Sequence, residues 1–106
     1  MRVLIADNDI DHRNTLIKFL EENDHKVEEV VSVGEIIEKS KKKCPDLILL
    51  DSDVSGTKGS DIVRQVRQLG GDAAWNPIII MNKEINEEGL QEGADVGADD
   101  YMQKPV

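Results

Sequence analysis

Short apolar runs alternate along the chain with longer stretches in which apolar residues recur at helical spacing. Three uninterrupted runs, at residues 3–6, 47–50 and 78–81, have the length of strands that are buried on both faces of a parallel sheet. We predict strands over residues 2–6, 26–31, 46–50, 77–81 and 98–103, and helices over about 10–23, 34–43, 61–69 and 85–95. Because strands and helices alternate, the pattern predicts βαβ units and a doubly wound parallel α/β sheet with helices on both faces.

The helical segments carry their own start signals and apolar sides. Asp9 is the predicted N-cap of the first helix, and Ser60 or Asp61 that of the third. The apolar side of the first helix consists of Leu16, Ile17, Phe19 and Leu20. Residues 52–59 hold two glycines without periodicity, so we predict a loop. No helix follows the fifth predicted strand, so we expect residues 1–106 to be a fragment truncated before a fifth helix, or a partner chain to cover the apolar face there.

Composition and charge argue against several classes of protein. A length of 106 residues suits one domain, and a net charge of −9 argues against direct binding to nucleic acids or anionic membranes. No apolar run approaches the roughly 20 residues that span a bilayer, and no signal-peptide pattern is present. The single cysteine, Cys44, cannot form an internal disulfide. These features predict a cytoplasmic protein.

The predicted strands end on residues that can bind phosphate or a metal ion. The central strand ends on Asp51, whose plainer role would be to cap the next turn. Three other strands run into Asp7-Asn8-Asp9, Asn82-Lys83 and Lys104. Because the carboxyl ends of parallel strands share one edge, we expect these side chains to gather there. Oxygen ligands suit Mg²⁺, a lysine can bind a phosphoryl oxygen, and an aspartate can attack phosphorus, so we predict a phosphoryl-acceptor or phosphoryl-transfer site.

In their order and spacing, these segments resemble the receiver domain of two-component response regulators over essentially the whole chain. The matching segments are residues 3–9 with Arg13, 45–51 with Gly56 and Gly59, 77–81, and 97–105. The resemblance implies a flavodoxin-like, five-stranded parallel sheet of order 2-1-3-4-5. It also implies a signalling module, not an enzyme, that is phosphorylated by a histidine kinase or phosphotransfer protein. Such a module acts on an output domain in the intact chain or on a partner protein.

The resemblance further assigns roles to the residues at the strand ends. Asp51 aligns with the phosphoacceptor. Asp7, Asn8, Asp51 and the backbone carbonyl of Asp53 align with the Mg²⁺ ligands of the family. Lys104 aligns with the lysine that contacts the phosphoryl group. Mg²⁺ is therefore the cofactor that the resemblance implies.

Three positions depart from the family pattern. Asn8 stands in place of an acidic ligand, and the loss of one negative charge predicts weakened Mg²⁺ binding. Asn82 replaces a Thr or Ser that contacts the phosphoryl group and couples it to the switch aromatic, Tyr101, so we expect altered coupling. Lys83 replaces a small residue, and it either gates access to Asp51 or is an ordinary solvated lysine.

Two alternatives to a phosphorylated receiver stay open. The first is a degenerate receiver that acts as a phosphorylation-independent docking or dimerisation module, for example as a homodimer. The second is a phosphatase in which Asp53, two residues after Asp51, is the general acid, although the small size of the chain argues against it. We expect His12 and His25 at exposed or capping positions, and Trp75 as a shield over a loop.

Overall fold

The computed structural model describes residues 1–106, arranged around one parallel sheet. In chain order the elements are β1 (Arg2–Ala6), α1 (Ile10–Glu22), β2 (Lys26–Glu29), α2 (Val33–Lys42), β3 (Leu47–Asp51), β4 (Asp53–Val54), β5 (Thr57–Lys58), α3 (Gly59–Arg67), a 3₁₀ helix (Gly71–Trp75), β6 (Ile78–Asn82), α4 (Glu87–Val96) and β7 (Asp100–Gln103). The five-stranded sheet has the order β2-β1-β3-β6-β7, with all neighbours parallel. This is the predicted 2-1-3-4-5 order, so the predicted fold is confirmed.

The sheet is covered on both faces because successive strand residues point to opposite sides. Leu4 and Ala6 of β1 belong to a core cluster of 12 buried residues, which also contains residues of α2 and α3 and against which Val96 of α4 packs. Val3 and Ile5 belong to a second cluster of five, which contains Leu16 of α1. Three helices therefore cover one face and α1 covers the other, as the apolar runs of the strands predict.

The parallel register brings the polar strand ends to one edge. Asp51, the last residue of β3, pairs with Met81 of β6, and Asn82 pairs with Gln103 of β7. Beyond β7 the ladder continues for one more bond, from Lys104 N to the carbonyl of Asn82 at 2.7 Å. The backbone therefore fixes where the Lys104 side chain begins, next to the end of β6.

The connection after β3 differs from the predicted loop. Residues 53–54 and 57–58 form a small antiparallel hairpin, whose turn residues Ser55 and Gly56 have positive φ values of 52° and 84°. The prediction that Ser60 or Asp61 caps α3 was wrong. The helix begins at Gly59, and its N-cap residue, Lys58, makes no side-chain capping bond. A Cβ atom at Gly59 would lie 2.8 Å from the Asp51 carbonyl oxygen, so this close approach sets the helix start.

Several smaller predictions were wrong. Phe19 is 59% exposed, because it lies on the side of α1 away from Ile17, outside the stripe formed with Leu16 and Leu20. Trp75 is 83% exposed at the end of the 3₁₀ helix, so it does not shield a loop. β2 stops at Glu29, two residues before the predicted end.

No helix of the structure is long and apolar enough to cross a bilayer.

Candidate functional site

Three charged side chains from different strand ends meet beneath the surface of the cleft. Lys104 Nζ lies 2.6 Å from Asp7 Oδ1 and 3.2 Å from Asp51 Oδ2. All three residues are buried, with exposed fractions of 4% for Asp7 and 8% for each of the other two. We call Asp7, Asp51 and Lys104 the acceptor triad. Buried charges are costly unless they are paired, and this arrangement pairs one cation with two anions.

Hydrogen bonds within the site keep Asp7 and Lys104 ionised. Burial alone would raise the pKa of the Asp7 carboxyl, but hydrogen bonds from Lys104, His12 and the backbone of Asp9 outweigh it and hold that pKa below its ordinary value. Burial would likewise lower the pKa of the Lys104 ammonium, whereas its bonds to Asp7 and Asp51 raise it above the ordinary value. At neutral pH the Asp7 carboxyl therefore carries its negative charge and the Lys104 amine its positive charge.

The Asp51 carboxylate is held through only one of its oxygens. Its Oδ2 accepts a hydrogen bond of 3.0 Å from the backbone N–H of Asn8 as well as the contact with Lys104. Its Oδ1 accepts no hydrogen bond from the rest of the chain. Held in this way, the side chain presents an unengaged anionic oxygen, which is what a nucleophile toward phosphorus needs.

Asn8 and Asp53 contact each other at the rim of the site. The side-chain amide of Asn8 donates a hydrogen bond to the backbone carbonyl of Asp53. The Asp53 carboxylate points elsewhere, since its Oδ1 accepts a bond of 2.9 Å from the backbone N–H of Gly56 in the hairpin turn. The structure therefore brings Asn8 and the carbonyl of Asp53 together, whereas the Asp53 side chain is bonded to the hairpin turn.

The donor set fits a hard divalent cation in its chemistry, because every candidate ligand is an oxygen. No cluster of three or more His, Cys, Asp or Glu side chains surrounds a single metal position. A cation would therefore need the Asp53 carbonyl and the Asn8 side-chain oxygen beside the carboxylates of Asp7 and Asp51, with water completing the shell. The Asn8 amide would have to rotate first, since its nitrogen now faces the Asp53 carbonyl.

The predicted switch residues touch each other directly. Asn82 Nδ2 lies 3.1 Å from the hydroxyl oxygen of Tyr101, in position to donate a hydrogen bond to it. The Tyr101 ring packs against the larger core cluster, beside two glycines of α4. A Cβ atom would lie 3.0 Å from the ring hydroxyl at Gly89 and 3.4 Å from the ring at Gly93. These glycines leave the room that the ring occupies.

Lys83 lies on the open side of the site. Its side chain is exposed and its ammonium forms no hydrogen bond or ion pair within the chain. A polar cleft of about 300 Å³ opens here, and its lining residues are Asn8, Asp9, Asp51, Asn82, Lys83 and Lys104. The two lysines and two asparagines beside the two aspartates supply the donors that suit an anion carrying several oxygens.

Sequence reasoning missed one residue of this site, His12. Its side chain is only 7% exposed, and its ring Nδ1 contacts the Asp7 carboxylate, so an exposed or capping position was the wrong expectation. A signal was available in the predicted N-cap, Asp9, which accepts hydrogen bonds from the backbone N–H groups of Asp11 and His12. This cap makes His12 the third residue of α1, and side chains at that position turn back toward the preceding loop.

Comparison with known proteins identifies the family and the fold of the chain. Residues 3–106 match the family described as the response regulator receiver domain. The transcriptional regulatory protein ResD of Bacillus subtilis is 32% identical over 98% of this chain and 42% of its own length, and the response regulator MprA of Mycobacterium leprae is 32% identical over 99% and 45%. The chemotaxis protein CheY4 of Vibrio cholerae superposes with a TM-score of 0.88 at 28% identity, covering 99% of this chain and 87% of that one.

The matches cover almost all of this chain but different shares of the proteins compared with it. The chain spans less than half the length of the curated relatives ResD and MprA. It is nevertheless matched almost from end to end by the family and by CheY4. The chain belongs to the response regulator receiver domain family of two-component signalling.

Proposed function

We propose that this receiver domain accepts a phosphoryl group on Asp51 from a histidine kinase or phosphotransfer protein and signals to an output domain or partner protein in the cytoplasm. Phosphoryl acceptance and signalling are general to the family. The observation that carries the proposal for this chain is the acceptor triad, in which Lys104 Nζ contacts both Asp7 and Asp51. The polar cleft, which is lined by Lys83 and Lys104, supports a small anionic group as the species transferred.

The geometry supports one assignment of the reacting atoms. Asp51 Oδ1, the oxygen without a hydrogen bond, attacks phosphorus while Oδ2 stays bonded to the Asn8 N–H and Lys104. A phosphorus–oxygen bond forms as the phosphorus–nitrogen bond to the donor imidazole breaks, and the departing imidazole takes up a proton. Lys104 then moves its ammonium from the Asp51 carboxylate to a phosphoryl oxygen, where it acts as a point charge. The product is an acyl phosphate on Asp51.

Members of this family typically bind Mg²⁺ in the same cleft. Asp7, Asn8, Asp51 and the carbonyl of Asp53 are the residues that would hold it here. When bound, the ion neutralises phosphoryl charge during transfer. Asn8 brings no negative charge to this set and must release the Asp53 carbonyl, so we propose that Mg²⁺ binds more weakly than it would with an acidic residue at position 8.

Acetyl phosphate with Mg²⁺ tests the acceptor directly, with intact-protein mass spectrometry as the readout. The wild-type chain should gain the mass of one phosphoryl group, and Asp51→Asn should gain none. Asp11→Asn is the matched control, because Asp11 is an exposed aspartate on α1 that bonds none of the acceptor triad. An unmodified wild-type protein at every Mg²⁺ concentration would contradict the proposal.

A second candidate function is a phosphorylation-independent docking module, including a homodimer. The bond between Asn82 and Tyr101 favours it, because the ring is held in place in a chain that carries no phosphoryl group. Size-exclusion chromatography with light scattering, together with partner binding by the wild type and by Asp51→Asn, distinguishes the two. Equal behaviour of both proteins before and after acetyl phosphate supports docking, whereas a change in the wild type alone supports the receiver function.

We propose no phosphatase activity. The Asp53 carboxylate, which would have to act as the general acid, is bonded to the backbone of the turn at Gly56. The geometry that a general acid needs, within hydrogen-bond reach of the leaving group, is therefore not supported. Turnover of an added phosphomonoester that disappears in Asp53→Asn would contradict this view.

A further inference from the structure

His12 uses both of its ring nitrogens inside the protein. Nδ1 contacts Asp7 Oδ2, and Nε2 lies 3.1 Å from the backbone nitrogen of Val106. The side chain is 7% exposed. Asp11, the residue just before His12 on the same helix turn, is exposed and contacts none of the acceptor triad. The ring therefore bridges the carboxyl end of β1 and the segment that follows β7.

The two contacts select one form of the ring. The Val106 backbone can only donate its N–H, so Nε2 must accept with a lone pair. The ring proton then sits on Nδ1, from which it is donated to the Asp7 carboxylate. His12 therefore accepts a hydrogen bond from Val106 through Nε2 and donates one to Asp7 through Nδ1.

His12 completes the set of bonds that orients Asp7. Asp7 Oδ1 accepts from Lys104 Nζ at 2.6 Å and from the backbone N–H of Asp9 at 2.9 Å, while Oδ2 receives the His12 ring. With both oxygens engaged, the plane of the carboxylate is fixed. Without the His12 bond, Oδ2 would be a buried anionic oxygen with no partner from the chain, and the carboxylate would be free to turn.

The same ring also restrains the segment that carries Lys104. Val106 lies two residues after Lys104, and its N–H is bonded to His12. Lys104 is therefore held at two points, by the bond from its own N–H to the Asn82 carbonyl and by the bond of Val106 to His12. A displacement of either Asp7 or this segment would change the distance between Lys104 Nζ and Asp51.

We propose that His12 is a positioning residue of the phosphoryl-acceptor site. It orients Asp7 and holds the segment after β7, so that Lys104 Nζ lies against Asp51. This inference rests on the proposed function, since the property that it sets is the reactivity of Asp51. Groups that orient the ligands of a site typically affect affinity or activity by about 10- to 100-fold when they are removed.

Two variants separate the donor role from simple filling of space. His12→Phe keeps a ring but loses both hydrogen bonds, and we expect it to slow phosphorylation of Asp51 by acetyl phosphate roughly tenfold. His12→Asn places an amide N–H near the position of Nδ1 and should recover most of that rate. His25→Phe is the matched control, because the half-buried His25 contacts only the amino terminus and should leave the rate unchanged.

The outcomes decide between positioning and packing. A wild-type rate in both His12 variants, or equal slowing in both, would overturn the proposal, because the Asp7-directed donor would then have no separate effect. Long-range ¹⁵N–¹H NMR of the His12 ring gives a readout that needs no phosphorylation. We expect the Nδ1–H form, with the Lys104 amide resonance displaced in His12→Phe and restored in His12→Asn; a ring protonated on Nε2 alone would contradict the proposal. Should the wild type form no adduct, the proposed function fails, and this NMR comparison still decides the role of His12.

Discussion

The inner and outer halves of this site differ in both burial and chemistry. The acceptor triad of Asp7, Asp51 and Lys104 is buried and joined through the Lys104 ammonium, and the sequence resemblance predicts a role for each of the three residues. The outer residues Asn8, Asn82 and Lys83 are exposed or half-buried, and they are the positions at which the sequence predicts a departure from the family. Asp7 and Asp51 share one buried cation, Lys104, so replacing any one of the three takes a partner away from a buried charged group. These outer residues border water, which can replace a lost hydrogen-bond partner. They can therefore change while the acceptor triad stays intact.

Replacing the buried lysine should have the largest effect. Lys104→Met leaves Asp7 and Asp51 facing each other without a cation, so we expect the free energy of unfolding to fall by about 3 kcal/mol. Lys83→Met is the matched control among the outer residues and should change the free energy of unfolding by less than about 0.5 kcal/mol. Urea unfolding measures both. Comparable losses in the two variants would erase the distinction between the inner and outer halves.

The pH dependence of stability should come from the same inner half. The pKa of Asp7 is lowered in the folded state, so its contribution is present above the ordinary carboxyl pKa of about 3.9 and is lost as the pH falls through the lower folded value. The pKa of Lys104 is raised, so its contribution is present below about pH 10.4 and is lost as the pH rises through the higher folded value. In EDTA, which removes divalent cations, the difference in the free energy of unfolding between wild type and Lys104→Met should therefore shrink at both low and high pH. A difference independent of pH would exclude the ion pairs as its source.

On the outer half, Asn8→Asp restores a carboxylate beside Asp51. We expect Mg²⁺ to bind about tenfold more tightly, because hard-cation affinity rises with ligand charge. Isothermal titration of the wild type and the variant measures the change. Asn14→Asp, which adds the same charge at an exposed position of α1 whose side chain makes no hydrogen bond, serves as a control for net charge alone. Unchanged affinity in Asn8→Asp would mean that position 8 is not a ligand.

The contact between Asn82 and Tyr101 should give the smallest effect. A single hydrogen bond contributes about 1 kcal/mol, so a double-mutant cycle of Asn82→Ala and Tyr101→Phe should show a coupling of about that size. Urea unfolding of the four proteins measures it. A coupling near zero would show that the ring is held by packing against α4 alone, and that Asn82 does not restrain it.

The strand ends were predictable because their positions follow from backbone geometry. Apolar runs of fixed length, joined by helices, bring Asp7, Asp51 and Lys104 to one edge whatever the side chains do later. His12 was not found, because its burial depends on how the first turn of α1 sits over β1 and on where the chain runs after β7. The exposure of Phe19 and Trp75 escaped for a similar reason, since an aromatic residue near an apolar stripe does not reveal which way the helix is rotated.

Asn8 shows the limit of reasoning from residue type. Its position beside the acceptor triad followed from the strand end, and its effect on charge followed from its chemistry. The direction of its amide did not, because an Asn side chain carries a donor and an acceptor of similar shape. The structure turns the donor toward the Asp53 carbonyl, which joins two candidate cation ligands to each other.

The most direct measurement is a titration of ¹⁵N-labelled protein with beryllofluoride and Mg²⁺, followed by ¹H–¹⁵N correlation spectra. Beryllofluoride mimics a phosphoryl group on an aspartate, so it reports on the acceptor without a kinase. We expect saturable changes at the amides of Asn8, Asp51 and Lys104, with much smaller changes at Gly89 and Gly93 beside Tyr101. The absence of any saturable change at Asn8, Asp51 and Lys104 would contradict the assignment of Asp51 as a phosphoryl acceptor.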